Sequence, residues 1–217
     1  MPTLLLRLAG PMQSWGTTSR FDERDSQLEP SKSGVLGLVC AALGRDRTEP
    51  VDDLARLRMG VRVDREGLLM RDYQTVKPPY LRASGTIERK DAIVSRRYYL
   101  ADAAFLVGLE GEDRSLLDAM DSALRDPVWP LALGRKAFPP AAPVWLEGGP
   151  VELGLREALI GAPRIASPRH EDRAALLRLL LEHPTEGAMR FDQPLAPFAE
   201  RRFGPRHIAT EVIDVPV

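Results

Sequence analysis

Strand-length and helix-length runs alternate through the first two thirds of this chain, and their order restricts the fold more than any other feature. Thr3 to Leu8 reads as a buried strand that Gly10-Pro11 stops. Ser14 to Pro30 is polar and aperiodic, as a loop would be. Ser31 or Ser33 suits the cap of a helix running through Val35, Leu36, Leu38, Val39, Ala42 and Leu43, with Gly44 as its stop. Gly34, Gly37, Ala41 and Ala42 let that helix pack closely against a sheet. Met59, Val61 and Val63 alternate with Arg58, Arg62 and Asp64, the pattern of a half-buried strand. Gly67 then marks a turn into a partner strand, about Leu68 to Val76.

Pro78-Pro79 ends that pair, and Tyr80 to Ser95 reads as a long excursion. A strand resumes near Tyr98 and continues through Ala104 to Leu109. Ser115 to Arg125 predicts a second helix, with Leu116, Leu117, Met120 and Leu124 on one face. A strand-like Leu131 to Gly134 and a proline-rich loop lead to Val144-Trp145-Leu146. Strand, helix, hairpin-like pair, helix, strand is the α+β split βαβ order of ferredoxin-like (RRM-like) domains. Gly148-Gly149-Pro150 is the best boundary, which gives a domain over 1–148 and a small C-terminal α+β extension over 149–217. The extension has a short strand (Val151 to Leu155), an apolar helix (Ala174 to Glu182) and strand-like pieces near Met189 and Val212.

Composition excludes several classes. The 217 residues can bury roughly 70% of their extended-chain surface, so no disulfide staple is needed. One cysteine, Cys40, rules out a disulfide framework and a multi-cysteine zinc site, and fits a reducing compartment. No apolar run approaches the ~20 residues that span a bilayer, so a membrane partner is not expected. Thirty Lys+Arg against 31 Asp+Glu give no global attraction to an anion, so any nucleic-acid site must come from local charge.

Local charge is concentrated between Arg71 and Tyr99. Arg71, Lys77, Arg82, Arg89, Lys90, Arg96 and Arg97 face only Asp72, Glu88 and Asp91, and all four tyrosines (Tyr73, Tyr80, Tyr98, Tyr99) fall in the same segment. Cations answer phosphates and rings offer faces to unstacked bases, so this interleaving suits single-stranded RNA. The plainer reading is a solvated basic hairpin with tyrosines at the core edge. Gly134-Arg135-Lys136 can bring backbone amides and two cations to one phosphate, or be a surface turn. Ser31-Lys32-Ser33-Gly34 at a helix start is similar, without the glycine spacing of a Walker loop. Trp15 can stack on a base or cover a core edge. Arg20, Arg24 and Arg201-Arg202 with Arg206 are scattered cations. Glu110 to Asp126 carries six acids and two arginines, a face turned away from RNA.

Chemistry has little to work with. His170, His183 and His207 all lie after the boundary and none pairs at metal-ligand spacing, so neither a metal nor a cofactor is expected. His183, before Pro184, reads as a helix C-terminal cap. No serine nucleophile elbow is present, and the basic segment lacks a histidine to act as base toward a 2′-hydroxyl. No catalytic residue is therefore assigned.

Five blocks occur together: Leu6 to Gly16 (LRLAGPMQSWG), Pro30 to Leu38 (PSKSGVLGL), Arg71 to Val76 (RDYQTV), Arg96 to Phe105 (RRYYLADAAF) and Leu133 to Lys136 (LGRK). In this order and spacing the chain resembles the CasD family of type I-E CRISPR Cascade complexes, from about Leu4 to Leu146. The resemblance implies a ferredoxin-type core of the repeat-associated (RAMP) superfamily with a long β-hairpin thumb, about 77–97. It implies a non-catalytic, cytoplasmic subunit that grips the 5′ handle of CRISPR RNA and caps the backbone filament. Partners would be that RNA, the backbone and large subunits, and target DNA near the 5′ end of the guide. The alternative is a metal-independent endoribonuclease that processes the repeat, as in type I-C relatives. By motif match the handle contacts fall on Arg71, Arg96, Arg97, Arg135, Lys136, Ser31, Lys32 and Ser33, with Gln13 and Trp15 after the first strand and Lys77 on the thumb. Tyr98 and Tyr99 are consecutive strand residues and face opposite ways, so at most one meets RNA.

Overall fold

Leucine-rich strands in one large sheet, with apolar core on both of its faces, organise the molecule. The computed structural model describes residues 1–17, 23–82, 84–166 and 176–215; Arg20, His170 and the expected helix start at Ala174 lie outside them. In chain order the elements are β1 (Thr3–Ala9), β2 (Met12–Gln13), β3 (Glu23–Arg24), α1 (Lys32–Leu43), α2 (Asp52–Ala55), β4 (Arg58–Arg65), β5 (Leu68–Val76), β6 (Tyr80–Leu81) and β7 (Ile87–Glu88). They continue as β8 (Ile93–Ala101), β9 (Ala104–Glu110), α3 (Arg114–Arg125), α4 (Leu155–Gly161), β10 (Leu176–His183), β11 (Ala188–Pro194) and β12 (Phe203–Asp214). The fold is mixed α/β with antiparallel sheets. Six strands form the main one, in the order β1-β9-β4-β10-β12-β11. β9 runs antiparallel to both β1 and β4, so those two are parallel, joined by α1 as a crossover.

Helices cover the two faces unequally. α1 and α3 lie on one, over a core that includes Leu6, Leu36, Val39, Phe105, Val107 and Met120. Seven-residue α4 covers part of the other, over Leu5, Leu106, Leu179 and Ile213. α1 begins after Ser31 in extended conformation, and Gly44 closes it in the left-handed conformation, with the amides of Gly44 and Arg45 capping the last turn.

Several expected elements change identity. The Ala174 to Glu182 helix is strand β10, paired with β4 on one side and β12 on the other. A continuous Leu-rich run has no period that separates a buried strand from a buried helix, and burial between two strands overrides leucine's helix preference. His183 therefore caps a turn rather than a helix: its Nδ1 accepts from the amide of Glu186 at 2.9 Å. Gly67 does not close a hairpin of neighbouring strands. β4 is buried between β9 and β10, whereas β5 pairs along its whole length with β8 in a second sheet. The expected single strand from Tyr98 to Leu109 is two, broken at Asp102, which takes a left-handed φ of 57°. Val151 and Trp145 make only isolated bridges to Thr3 and Leu6, and Leu155 opens α4 instead of ending a strand. Residues after Gly148 supply β10, β11 and β12, so the last third of the chain completes the sheet that the first half begins.

A wholly buried guanidinium ties α4 to this sheet. Arg62 meets Asp64 through Nε at 2.6 Å and through a second nitrogen at 2.9 Å, and donates to the carbonyls of Leu159, Ala162 and Pro163. Asp64 also accepts from the Ile165 amide at 2.7 Å. Asp64→Ala leaves an unpaired buried charge, so urea unfolding should show a loss of about 3–5 kcal/mol. Burial on α1 pushes the Cys40 thiol up to about 11. An alkylating reagent at pH 8 should therefore leave the native chain unmodified and label it fully in urea.

Candidate nucleic-acid interface

β5 and β8 make a long ribbon, with short β2 and β3 on the other edge of β8, and register sets its faces. Arg71 lies opposite Tyr98 and Tyr73 opposite Arg96, while Asp72 lies opposite Arg97 and Met70 opposite Tyr99. Directly opposed residues share a face. One face thus carries Arg71, Tyr73, Arg96 and Tyr98, and the other carries Asp72, Arg97 and Tyr99. Tyr99 packs on the core, its ring 5.9 Å from that of Phe138. Tyr99 is the core tyrosine, and Tyr98 shares the opposite face with two arginines. Tyr73, on that face, is 61% exposed. Lys77 is exposed just past the end of β5, and Lys136 is exposed beside Arg135.

The Arg97 face borders a cleft of about 440 Å³. Short β3 runs parallel to β8 and sets Arg24 beside Arg97. Arg135 donates to the Arg24 carbonyl at 3.2 Å. Arg24, Arg47, Arg135 and Arg201 line the cleft with Phe198 and Phe203, while Trp15, Ser31, Ser33 and Gly34 also contribute. Among the described residues Asp25 is its one carboxylate, and it accepts from Gln27 Nε2 and the Thr17 amide. Burial, and then the like charges of Arg97 and Arg24, pull the Arg135 guanidinium below its ordinary range. An arriving anion relieves that crowding.

Arginines elsewhere are mostly matched. Arg45 pairs with Asp53, Arg58 with Glu110, Arg114 with Asp118, Arg125 with Asp121, Arg156 with Glu211 and Arg178 with Glu66. Among the described residues, Arg24, Arg47, Arg71, Arg96, Arg97, Arg135 and Arg201 form no ion pair. The arginines of β5, β8 and the cleft are thus without acidic partners among the described residues.

Three expected contact residues turn inward. The Gln13 amide donates to the carbonyls of Leu8 and Ala103 and accepts from the Trp15 indole, so its polar atoms are consumed. Trp15 is 1% exposed and belongs to the core; its ring is wall, not stacking platform. Lys32 is 1% exposed and its Nζ reaches Glu182 at 3.0 Å. Burial lowers the Lys32 ammonium's pKa, although Glu182 works against that. Its backbone amide, the expected helix-end phosphate donor, goes to Asp192 at 2.8 Å. The Gly134 amide is likewise committed, to the Ala132 carbonyl. Ser31, Ser33 and Arg135 meet at the cleft with Arg97 alongside, whereas Arg71, Arg96 and Tyr98 lie on the ribbon's other face. Arg47, Phe198 and Phe203 were not anticipated. The run Phe198-Ala-Glu-Arg-Arg-Phe203, two aromatics bracketing two arginines, was the available signal.

Two glycines keep the cleft open. A Cβ on Gly34 would stand 2.9 Å from both the Ser31 hydroxyl and the Trp15 ring. Gly134 has φ +88°, and a Cβ there would stand 1.7 Å from the Ser14 carbonyl oxygen. Gly134→Ala should lower stability by more than about 2 kcal/mol in thermal or urea unfolding, because left-handed strain and a backbone clash add.

A strand-rich body presenting arginines without acidic partners on a ribbon and a cleft is the build of a protein that grips an anionic polymer. The chain belongs to the CRISPR-associated Cas5 family: the family model described as CRISPR-associated protein (Cas_Cas5) matches residues 3–209. It is 34% identical over 157 residues to "CRISPR system Cascade subunit CasD" of Escherichia coli (strain K12), covering 66% of this chain and 69% of that one. A solved structure described as "CRISPR RNA-guided surveillance complex" aligns over 99% of this chain and 91% of its own, with TM-score 0.84 and 37% identity. Another, "Crystal structure of Cas protein", is 50% identical with TM-score 0.81, over 99% of this chain and 98% of that one.

Proposed function

We propose that this chain is a non-catalytic RNA-binding subunit of a type I-E CRISPR Cascade surveillance complex, in which it grips the 5′ handle of the CRISPR RNA. The observation that carries the reading is the segregation of charge: arginines along β8, β3 and the 134–136 turn lack acidic partners among the described residues, while those elsewhere are mostly paired. Membership of the Cas5 family and the likeness to a Cascade subunit support the same role. In this reading Arg97, Arg135 and Arg24 hold backbone phosphates, and Ser31 and Ser33 offer hydroxyls to base edges.

The finer architecture fits this role. β1, α1, β4, β9 and α3 follow one another as a split βαβ core, and the bridges at Trp145 and Val151 occupy the place of its fourth strand. The ribbon from Leu68 to Ala101 is the thumb, longer at its base than the 77–97 expected from sequence. Arg71, Tyr73, Arg96 and Tyr98 on its far face, with Lys77 beyond β5, are placed to meet the guide where it leaves the handle, beside target DNA. The backbone and large subunits dock around that point, in the cytoplasm.

The test is RNA binding by the full chain across a salt series, with Arg97→Ala and Arg135→Ala combined. Two lost phosphate contacts should lower the slope of log K against log[salt] by about 1.4. The RNA should be recovered uncut without added metal. An unchanged slope removes these residues from the interface, and specific cleavage replaces the binding role with an enzymatic one.

A further inference from the structure

Residues 195–203 have no part in the contacts expected from sequence, yet they build one wall of the cleft. Phe198 and Phe203 line it, half-buried, their ring centroids 6.4 Å apart and their planes tilted by 43°. Arg201 lines it between them and takes a left-handed φ of 54°, a conformation unfavourable for a non-glycine residue. The surrounding loop holds that conformation: the Leu195 amide donates to the Arg202 carbonyl and the Glu200 amide to the Pro197 carbonyl. Arg47 braces the same loop. It donates to the Phe198 carbonyl at 3.0 Å, and its own carbonyl accepts from the Ala199 amide at 2.8 Å. At the cleft floor the Ser31 hydroxyl caps no helix amide and makes no hydrogen bond among the described residues.

We infer that this loop closes the cleft into a pocket for one nucleotide splayed out of the bound RNA, its base against Phe198 and Phe203 and a flanking phosphate on Arg201, Arg47 and Arg135. The inference rests on the RNA-binding reading above and deepens it. Volume allows for one nucleotide: about 440 Å³ lies in the range of pockets that enclose a small molecule. Charge argues for a phosphate-bearing ligand, because among the described residues four guanidinium groups share the cleft with one carboxylate. Rings argue for a base, since every base has a π-face to lay on phenylalanine. The unpartnered Ser31 hydroxyl is placed to touch a base edge, which lets the pocket prefer one base at that position.

The 5′-terminal segment of the CRISPR RNA, synthesised with a single abasic ribose at successive positions, is the probe. Full-length wild-type chain should lose about tenfold in affinity at one position and little elsewhere. Phe198→Leu with Phe203→Leu should bind intact RNA about tenfold more weakly and no longer register the abasic change at that position. Arg201→Ala alters an exposed side chain, so the test survives if the phenylalanine pair does not fold; it should reduce the salt slope by about 0.7. A flat abasic scan in wild type, or a penalty that persists undiminished in the phenylalanine variant, overturns the pocket. If wild type binds RNA and weakens on Arg97→Ala with Arg135→Ala while the loop variants match wild type, only this inference fails. If wild type does not bind the RNA at all, the RNA-binding reading fails with it.

Discussion

Lys32, Asp192, Arg206 and Glu182 form a buried set of two cations and two anions at the start of α1. Lys32 Nζ reaches Glu182, the Lys32 amide donates to Asp192, and Arg206 grips Asp192 through Nε at 2.5 Å and a second nitrogen at 2.9 Å. Charges this deep are costly to desolvate, and only complete pairing offsets that cost. The members come from α1, β10, β11 and β12, so the set works as a four-way joint. It fixes where α1 begins relative to the far edge of the sheet. Ser31, Ser33 and Gly34 sit at that point, and the loop between β11 and β12 lies across the cleft from them. The joint thus ties together the elements that carry the cleft's two walls.

Charge elsewhere obeys a division of labour. Structural arginines are answered within the fold: Arg62 by Asp64 and three carbonyls, Arg65 by Asp102 at the base of the ribbon, Arg125 by Asp121. Arg97 on β8, Arg24 on β3 and Arg135 crowd one another instead. The chain's overall neutrality therefore hides a cationic tract, which the acids of α3, themselves largely occupied with Arg114 and Arg125, do not cancel.

Much of this was legible from sequence, for physical reasons that differ from element to element. α1 announced itself through helical spacing between a serine and a glycine, and α3 through a clean apolar stripe. The Arg71–Tyr99 segment was visible because charge and rings cluster there in the chain itself. What escaped depends on distant pairing. No local pattern says that β4 abandons β5 for β9, or that a run of leucines at β10 extends between two strands. Lys32 and Gln13 looked like surface groups because their partners, Glu182 and Ala103, lie far along the chain. Arg47 and Phe203 stand 156 positions apart, so their meeting needed the whole sheet to be closed.

The bend at Asp102 gives the ribbon a mechanical character. β8 passes through that one left-handed residue directly into β9, the strand between β1 and β4, and Arg65 clasps the corner from β4. A load applied at the ribbon's tip therefore has a covalent path into the middle of the sheet, beside the packing of Tyr99 on the core. The ribbon is thus rooted in the body as a lever is in its mount, with its base continuous with the central strands rather than appended to them.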